Sequence, residues 1–263
     1  MQIYKVPLNL TNFATEIKQE RKQKMKIVYW SDYACPYCYI GETRLKKAIN
    51  NLGLNGKIDI EFKAFELDPY AAEFATETTL DRFAKKYHLT KEGAQAQIDK
   101  ISSLGRGERL DFRYATTRNT NTFKAHRLTK LAHEKGGYEL ADKLSELLFN
   151  AYFTKNLELA NPETLVSVAE QVGMDGDEVR KFLKGKAYAD EVRHDEQEAM
   201  LNGIQGVPYF VFNDKLVVPG ALNVDNFEFA IKKVMKDERE VLQADAQQCG
   251  PNGCAFVPKS ERR

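Results

Sequence analysis

YWSDYACPYCYIGETRLKKAI, residues 29–49, is the stretch whose reading decides the fold. Ahead of it and into it, KIVYWSDY (26–33) collects the β-formers Ile27, Val28, Tyr29 and Trp30 and predicts a short strand. Cys35-Pro36-Tyr37-Cys38 follows, with Pro36 suited to a first helical turn, where its missing N–H would have had no partner anyway. Ile40, Leu45, Ala48, Ile49 and Leu52 then recur at near-helical intervals until Gly53 and Gly56 end the pattern.

Working outward, KIDIEFKAF (57–65) alternates, with Ile58, Ile60, Phe62 and Ala64 on one side and charged residues on the other. That predicts a second strand, ended by Asp68-Pro69, and the strand, helix and strand form a βαβ unit with parallel strands. From residue 78 to 200 the period-2 pattern disappears and amphipathic helical stretches take over: DRFAKKY, the segment around Ile98, TNTFKAHRLTKLAHEK stopped by Gly136-Gly137, and GYELADKLSELLFNAYFTKN. NPETLVSVAEQVG adds Asn161 as cap, Pro162 at the first position and Gly173 as stop, and DGDEVRKFLKG and YADEVRHDEQEAMLNG complete the set. Strand character returns in PYFVF and KLVVP, separated by the turn dipeptide Asn213-Asp214, and a last helix follows, capped by Asn223 or Asp225. The reading is an α/β fold, β-α-β then β-β-α, with a large all-helical insertion. Its expected divisions are an N-terminal extension (1–24), a first half (25–77), the insertion (78–200), a second half (201–240) and a tail (241–263).

Composition narrows the function. The 263 residues carry 39 basic and 38 acidic side chains, so a net charge of +1 offers no bulk field for nucleic acid or an anionic membrane. No segment approaches the roughly 18 apolar residues of a spanning helix. The first 24 residues lack the apolar core of a secretory signal, and Glu16 and Glu20 are unlike a transit peptide, so a cytoplasmic location is expected.

Four cysteines are too few for a disulfide scaffold, yet they fall in two close pairs, Cys35/Cys38 and Cys249/Cys254. A thiolate is the nucleophile of disulfide exchange, and it needs a lowered pKa and a reachable sulfur. Cys35, at a strand end and a helix N-terminus, would face unpaired N–H groups and the positive end of the helix dipole. Cys38, one turn on, can attack a mixed disulfide on Cys35 and release it. A buried structural pair, half of a zinc site completed by Cys249 and Cys254 or by two histidines, and a chance spacing are the competing readings. C-x-x-C beside a βαβ unit favours thioredoxin-like redox chemistry over all three. Gly206-Val207-Pro208 leads directly into YFVF, where proline suits a strand's first residue.

SDYACPYCYIGETRL, AFELDP (64–69), NTFKAHRL (121–128), LNGIQGVPYFVF (201–212) and the CGPNGC tail together resemble the DsbA family of thioredoxin-fold oxidoreductases, in its FrnE-like branch, over residues 25 to about 256. The resemblance implies that Pro208 is cis and lies against Cys35. It implies that Val207 offers its backbone to an extended client segment in β-strand addition, and that an uncharged side chain there keeps metals from the cysteines. It also implies that Asn121, Phe123 and His126 border the active-site groove. The Pro36-Tyr37 dipeptide is that of glutaredoxins, whose potentials lie near about −200 to −230 mV against about −120 mV for DsbA. A reducing cytoplasm would keep such a pair mostly dithiol, a reductase or isomerase of protein disulfides, with oxidative stress reversing the flow. Clients with disulfides or thiols are the implied partners, recycled by glutathione or a thioredoxin-type system, and no cofactor or metal is implied.

Asp32, three residues before Cys35, is a candidate to modulate the thiol, to accept its proton or to cap the helix. Gly-Pro-Asn-Gly between Cys249 and Cys254 is a turn sequence that could bring the two within disulfide range, as a second redox pair or as incidental thiols in a tail. His88, His133 and His194 show no metal-ligand spacing. The rival enzyme class of this architecture is the kappa-type glutathione transferases and 2-hydroxychromene-2-carboxylate isomerases. These place a serine where this chain has Cys35, and both cysteines argue against them. A chaperone-like binding protein would leave the CPYC unexplained.

Overall fold

A computed structural model describes residues 24–236. Most of the expected extension, and the tail pair Cys249/Cys254, therefore lie outside the described residues. β1 (Met25–Ser31), α1 (Pro36–Asn51) and β2 (Ile58–Ala64) form the βαβ unit, with β1 and β2 parallel from Met25 opposite Ile58 to Ser31 opposite Ala64. Pro36 occupies the first turn of α1, and Gly53 follows its end at φ +64°, a left-handed conformation that costs glycine little. β3 (Tyr209–Phe212) pairs antiparallel with β1, and β4 (Leu216–Pro219) antiparallel with β3. Asn213 and Asp214 turn that hairpin with φ of 48° and 54°, the geometry of a type I′ turn, and the Asn213 side chain also accepts the Lys26 N–H at 2.6 Å. The order is β2-β1-β3-β4, so β1 is an interior strand.

An interior strand covered on both faces should be apolar without alternation, and IVYW is. Its successive residues nonetheless serve two cores. Met25, Ile27 and Tyr29 join Leu45, Ile49, Phe210, Phe212 and Phe227 between the sheet and the pair α1 and α8 (Val224–Met235). Val28 and Trp30 enter the larger core shared with the helices between β2 and β3. Phe210 and Phe227 pack edge to face at 5.0 Å in the first core.

The helices between the strands are α2 (Thr79–Lys86), α3 (Lys91–Gly107), a short 3-10 turn at Tyr114–Thr116, α4 (Phe123–Phe153), α5 (Pro162–Gln171), α6 (Gly176–Lys184) and α7 (Ala189–Leu201). Side-chain caps start most of them: Thr78, Thr90, Asn161 and Asp175 each accept an N–H of the first turn, as Asn223 does for α8. The anticipated stop at Gly136-Gly137 is a break within α4, where Gly137 has φ +65° and ψ −162°.

α7 is fastened to the sheet through Asp195, which is almost fully buried. Its backbone carbonyl accepts the Trp30 indole N–H at 3.0 Å and its carboxylate the Ala64 N–H at 2.8 Å. Lys130 pairs with the same carboxylate, and Lys63 reaches Glu198 at 2.5 Å beside it. Asp195→Ala strands the Ala64 N–H and leaves the half-buried Lys130 without its counter-charge. The expected cost is about 3 kcal/mol of folding stability in chemical denaturation.

Candidate active site

Cys35 is the N-cap of α1, with extended backbone (φ −96°, ψ 114°) and no side-chain cap. Its N–H donates to the Asp32 carbonyl at 3.0 Å, and its own carbonyl accepts from Cys38 N–H at 3.1 Å, which closes the turn carrying Pro36 and Tyr37. Both cysteines are free thiols, and both are fully buried, so the sulfur expected to be reachable is covered. The Cys38 sulfur accepts the Asp32 N–H at 3.4 Å. Burial pushes the Cys38 thiol well above its ordinary range, and its hydrogen bond to Cys35 and the charge of that sulfur push it further. The Asp32 N–H and the Ser31 hydroxyl oppose them. Cys38 is thus held protonated beside Cys35.

The Val207-Pro208 peptide is cis. The Cys35 thiol donates to the Val207 carbonyl at 3.5 Å, so the carbonyl expected to meet a client is turned onto the sulfur. Gly220 N–H donates to the Pro208 carbonyl at 2.8 Å and ties this loop to the end of β4. Gly41 lets α1 approach it: a Cβ there would stand 3.0 Å from Pro208 Cγ and 3.4 Å from both Ala221 and Phe210. Glycine to alanine inside a helix is ordinarily stabilising. Gly41→Ala should instead lose about 1–3 kcal/mol in chemical denaturation, through overpacking against the cis-proline loop.

Asp32 neither caps α1 nor stands open to solvent. Its buried carboxylate accepts the Ala34 N–H (3.1 Å), the Leu67 N–H (2.7 Å) and the Thr122 hydroxyl (2.9 Å), joining the ends of β1 and β2 to the start of α4. His126 does not line a groove: it is fully buried, stacks on Tyr33 and Phe62 at 4.9 and 5.8 Å, and sets Nε2 3.6 Å from Asp32. Phe123 lies beneath the Arg193 guanidinium at 4.1 Å. Asn121 bonds Glu66 at 2.9 Å and receives the Phe123 N–H at 3.0 Å. Pro36 and Tyr37 are buried with the cysteines they separate.

Two buried acids escape the sequence reading. Glu66, just past β2, is raised to about 8 by burial and by the charge of Glu196, against the pull of Arg193 at 2.6 Å. Glu42, one turn after Cys38, is raised to about 7, mainly by burial. Its carboxyl receives the Ser31 hydroxyl at 2.5 Å and the Tyr29 and Ser145 hydroxyls at 3.4 and 3.5 Å. The sequence signal available was its spacing: Glu42 falls one turn from Cys38, on the side of α1 that meets the core. An acid with a raised folded pKa binds its proton more tightly folded than unfolded. Its contribution therefore favours folding at acid pH and is lost as pH rises from the ordinary 4.5 through about 7. Glu42→Gln should gain on wild type across that window, by on the order of 3 kcal/mol at its top, in denaturation curves taken at a series of pH values.

Residues 26–232 match the family description DSBA-like thioredoxin domain. A crystal structure of a probable DsbA oxidoreductase from Streptomyces coelicolor is 36% identical, covers 89% of this chain and 99% of its own, and superposes with a TM-score of 0.76. YwbO of Bacillus subtilis (strain 168), an uncharacterised protein, is 28% identical over 221 residues, which are 80% of this chain and 97% of YwbO. The cytosolic disulfide reductase DsbM from Pseudomonas aeruginosa, in a structure with GSH, shares the fold at 13% identity and a TM-score of 0.55, over 80% of this chain and 99% of its own.

Proposed function

The chain belongs to the DSBA-like thioredoxin domain family, and from that membership we propose that it exchanges thiols and disulfides with client proteins, Cys35 attacking and Cys38 resolving. The observation that carries this reading is the placement of the pair. Cys35 is the N-cap of α1, where unpaired N–H groups and the helix dipole favour a thiolate, while burial and Cys35 itself hold Cys38, one turn on, as a thiol. Attacker first and resolver second is the order such an exchange requires.

In the reductive direction the Cys35 thiolate attacks one sulfur of a client disulfide, and the other leaves as a thiolate that takes up a proton. Cys38 then loses its proton and attacks Cys35. The Cys35–client bond breaks, the Cys35–Cys38 disulfide forms, and two electrons have passed to the client. Val207 and Pro208 are the client-facing loop, and a client strand that pairs with Val207 takes over the carbonyl now held by the Cys35 thiol. Access to the covered sulfurs accompanies that docking. The recycling reductant is glutathione or a thioredoxin-type system, the compartment is the cytoplasm, and oxidative stress turns the pair toward oxidation. No helix among the described residues is long and apolar enough to cross a membrane.

The test is insulin reduction by the full chain with glutathione as reductant, set beside glutathione conjugation of an electrophilic aromatic substrate. Turnover in the first and none in the second supports the reading, whereas the reverse would assign the chain to the glutathione transferase class. The tail pair Cys249/Cys254 is proposed as a second redox pair that exchanges with the first. Replacing both by serine should slow turnover severalfold with glutathione as reductant, and unchanged turnover removes the tail from the scheme.

A further inference from the structure

A cavity of about 200 Å3 lies between β2 and α4, and neither the two cysteines nor Val207 and Pro208 line it. Its walls are aromatic: Tyr29 and Phe62 meet edge to face at 5.8 Å, and α4 adds Tyr138 and Ala141. The polar ends of the two tyrosines are already engaged, the Tyr29 hydroxyl with Glu42 at 3.4 Å and that of Tyr138 with Asp142 at 3.3 Å. The break in α4 falls within this lining, with Lys130 and His133 before it and Tyr138 and Ala141 after it. Both glycines of the break are required there: a Cβ on Gly136 would stand 2.6 Å from that of Leu140, and Gly137 has φ +65°. The chamber is therefore built into the course of the helix rather than left by loose packing.

Glu61, Lys130 and His133 also line a second, open hollow of about 870 Å3, so the chamber opens into it. The cations of that hollow are already paired: Lys130 with Asp195, and Lys63 with Glu61 at 3.3 Å and with Glu198 at 2.5 Å. Glu134 on α4 and Asp190 and Glu191 on α7 are exposed and form no ion pair among the described residues. An apolar chamber leading to uncompensated carboxylates suits a ligand with a ring at one end and a positive charge at the other. We propose that the two hollows are one binding site for a small arylalkyl ammonium ion, its ring between Tyr29, Phe62 and Tyr138 and its amine among Glu134, Asp190 and Glu191. The size fits, since an apolar cavity of about 150 Å3 already takes up benzene. The aromatic walls favour a ring, which they meet edge-on or offset. The carboxylates set the sign of the charge and repel an anionic ligand from the same place. The site takes no part in thiol exchange, so it stands or falls independently of the role given to Cys35.

The test titrates the full chain by calorimetry with phenylpropylamine, beside phenylpropanol, phenylpropionate and propylamine. The arylalkyl amine should bind with a dissociation constant of about 1 mM or lower. It should also shift the ring-proton resonances of His133, identified by their loss in His133→Gln. The alcohol should bind about 10-fold more weakly, and the carboxylate and propylamine more weakly still. Ala141→Phe, which puts a ring into the chamber from its own wall, should weaken the amine by about 100-fold. Glu134→Gln, Asp190→Asn and Glu191→Gln together should bring the amine to the affinity of the alcohol and leave the alcohol unchanged. Cys35→Ser should bind the amine as wild type does, and loss of binding there would move the ligand to the thiols and overturn the site. No binding at about 10 mM amine, equal affinity for the amine and the carboxylate, or full affinity in a folded Ala141→Phe chain also overturns it. Should Ala141→Phe fail to fold, undiminished binding in the triple variant, whose substitutions are all exposed, overturns it alone.

Discussion

Cys35→Ser should reduce insulin no faster than glutathione alone, the largest loss expected of any substitution in this chain. A serine hydroxyl at the N-cap keeps the helix start, since serine is a preferred cap, so the fold and the turn from Asp32 to Cys38 are expected to persist. What disappears is the group that forms the covalent intermediate. Cys38 cannot substitute for it, because burial holds it as a thiol and it sits inside the first turn of α1 rather than at the N-cap. An unfolding transition like that of wild type, with no turnover, would assign the loss to chemistry. Turnover at the wild-type rate would remove Cys35 from the mechanism.

Cys38→Ser separates the two half-reactions. Cys35 still attacks, but no neighbouring thiol displaces the client, so the mixed disulfide accumulates. On non-reducing gels of cell extracts, bands should appear that collapse to the free chain when reductant is added, and insulin turnover should fall by at least about 100-fold, to the rate at which external thiol resolves the complex. The same variant loses the hydrogen bond to Cys35, so its remaining thiol should titrate differently from that of wild type. If no adducts form while Cys35 stays reactive, the resolving role passes to another group.

Local chemistry made much of this legible in advance. The βαβ unit, the helix start at Pro36, the caps at Asn161 and Asn223, the hairpin turn at Asn213-Asp214 and the break at Gly136-Gly137 all follow from rules acting within a few residues. The cis bond before Pro208 came instead from family likeness. What local rules could not give was the second covering of α1. Between a sheet and a helical layer a helix has little solvent face, and Glu42, which in YIGETRL reads like an ordinary surface acid, is sealed. Of the readings of Asp32, the helix cap is the one the structure replaces, and for a related reason: its partners Leu67 and Thr122 are distant in sequence, and only the folded chain brings them to one carboxylate. Lys63 and Lys130 converge near Asp195 in the same way. His126, read as a groove residue, is drawn inward by stacking on Tyr33.

The interior position of β1 has a consequence for biosynthesis. One neighbour, β2, leaves the ribosome soon after β1, but the other does not, because Trp30 must wait for Tyr209. At about 5–20 residues per second that interval is on the order of ten seconds or more. Throughout it the nascent chain carries both thiols of the pair before the loop that covers Cys35 has been made. The newly made protein is therefore most vulnerable to oxidation, and to adducts with its neighbours, before its last strands arrive, and its yield under oxidising conditions should depend on how quickly translation reaches β3.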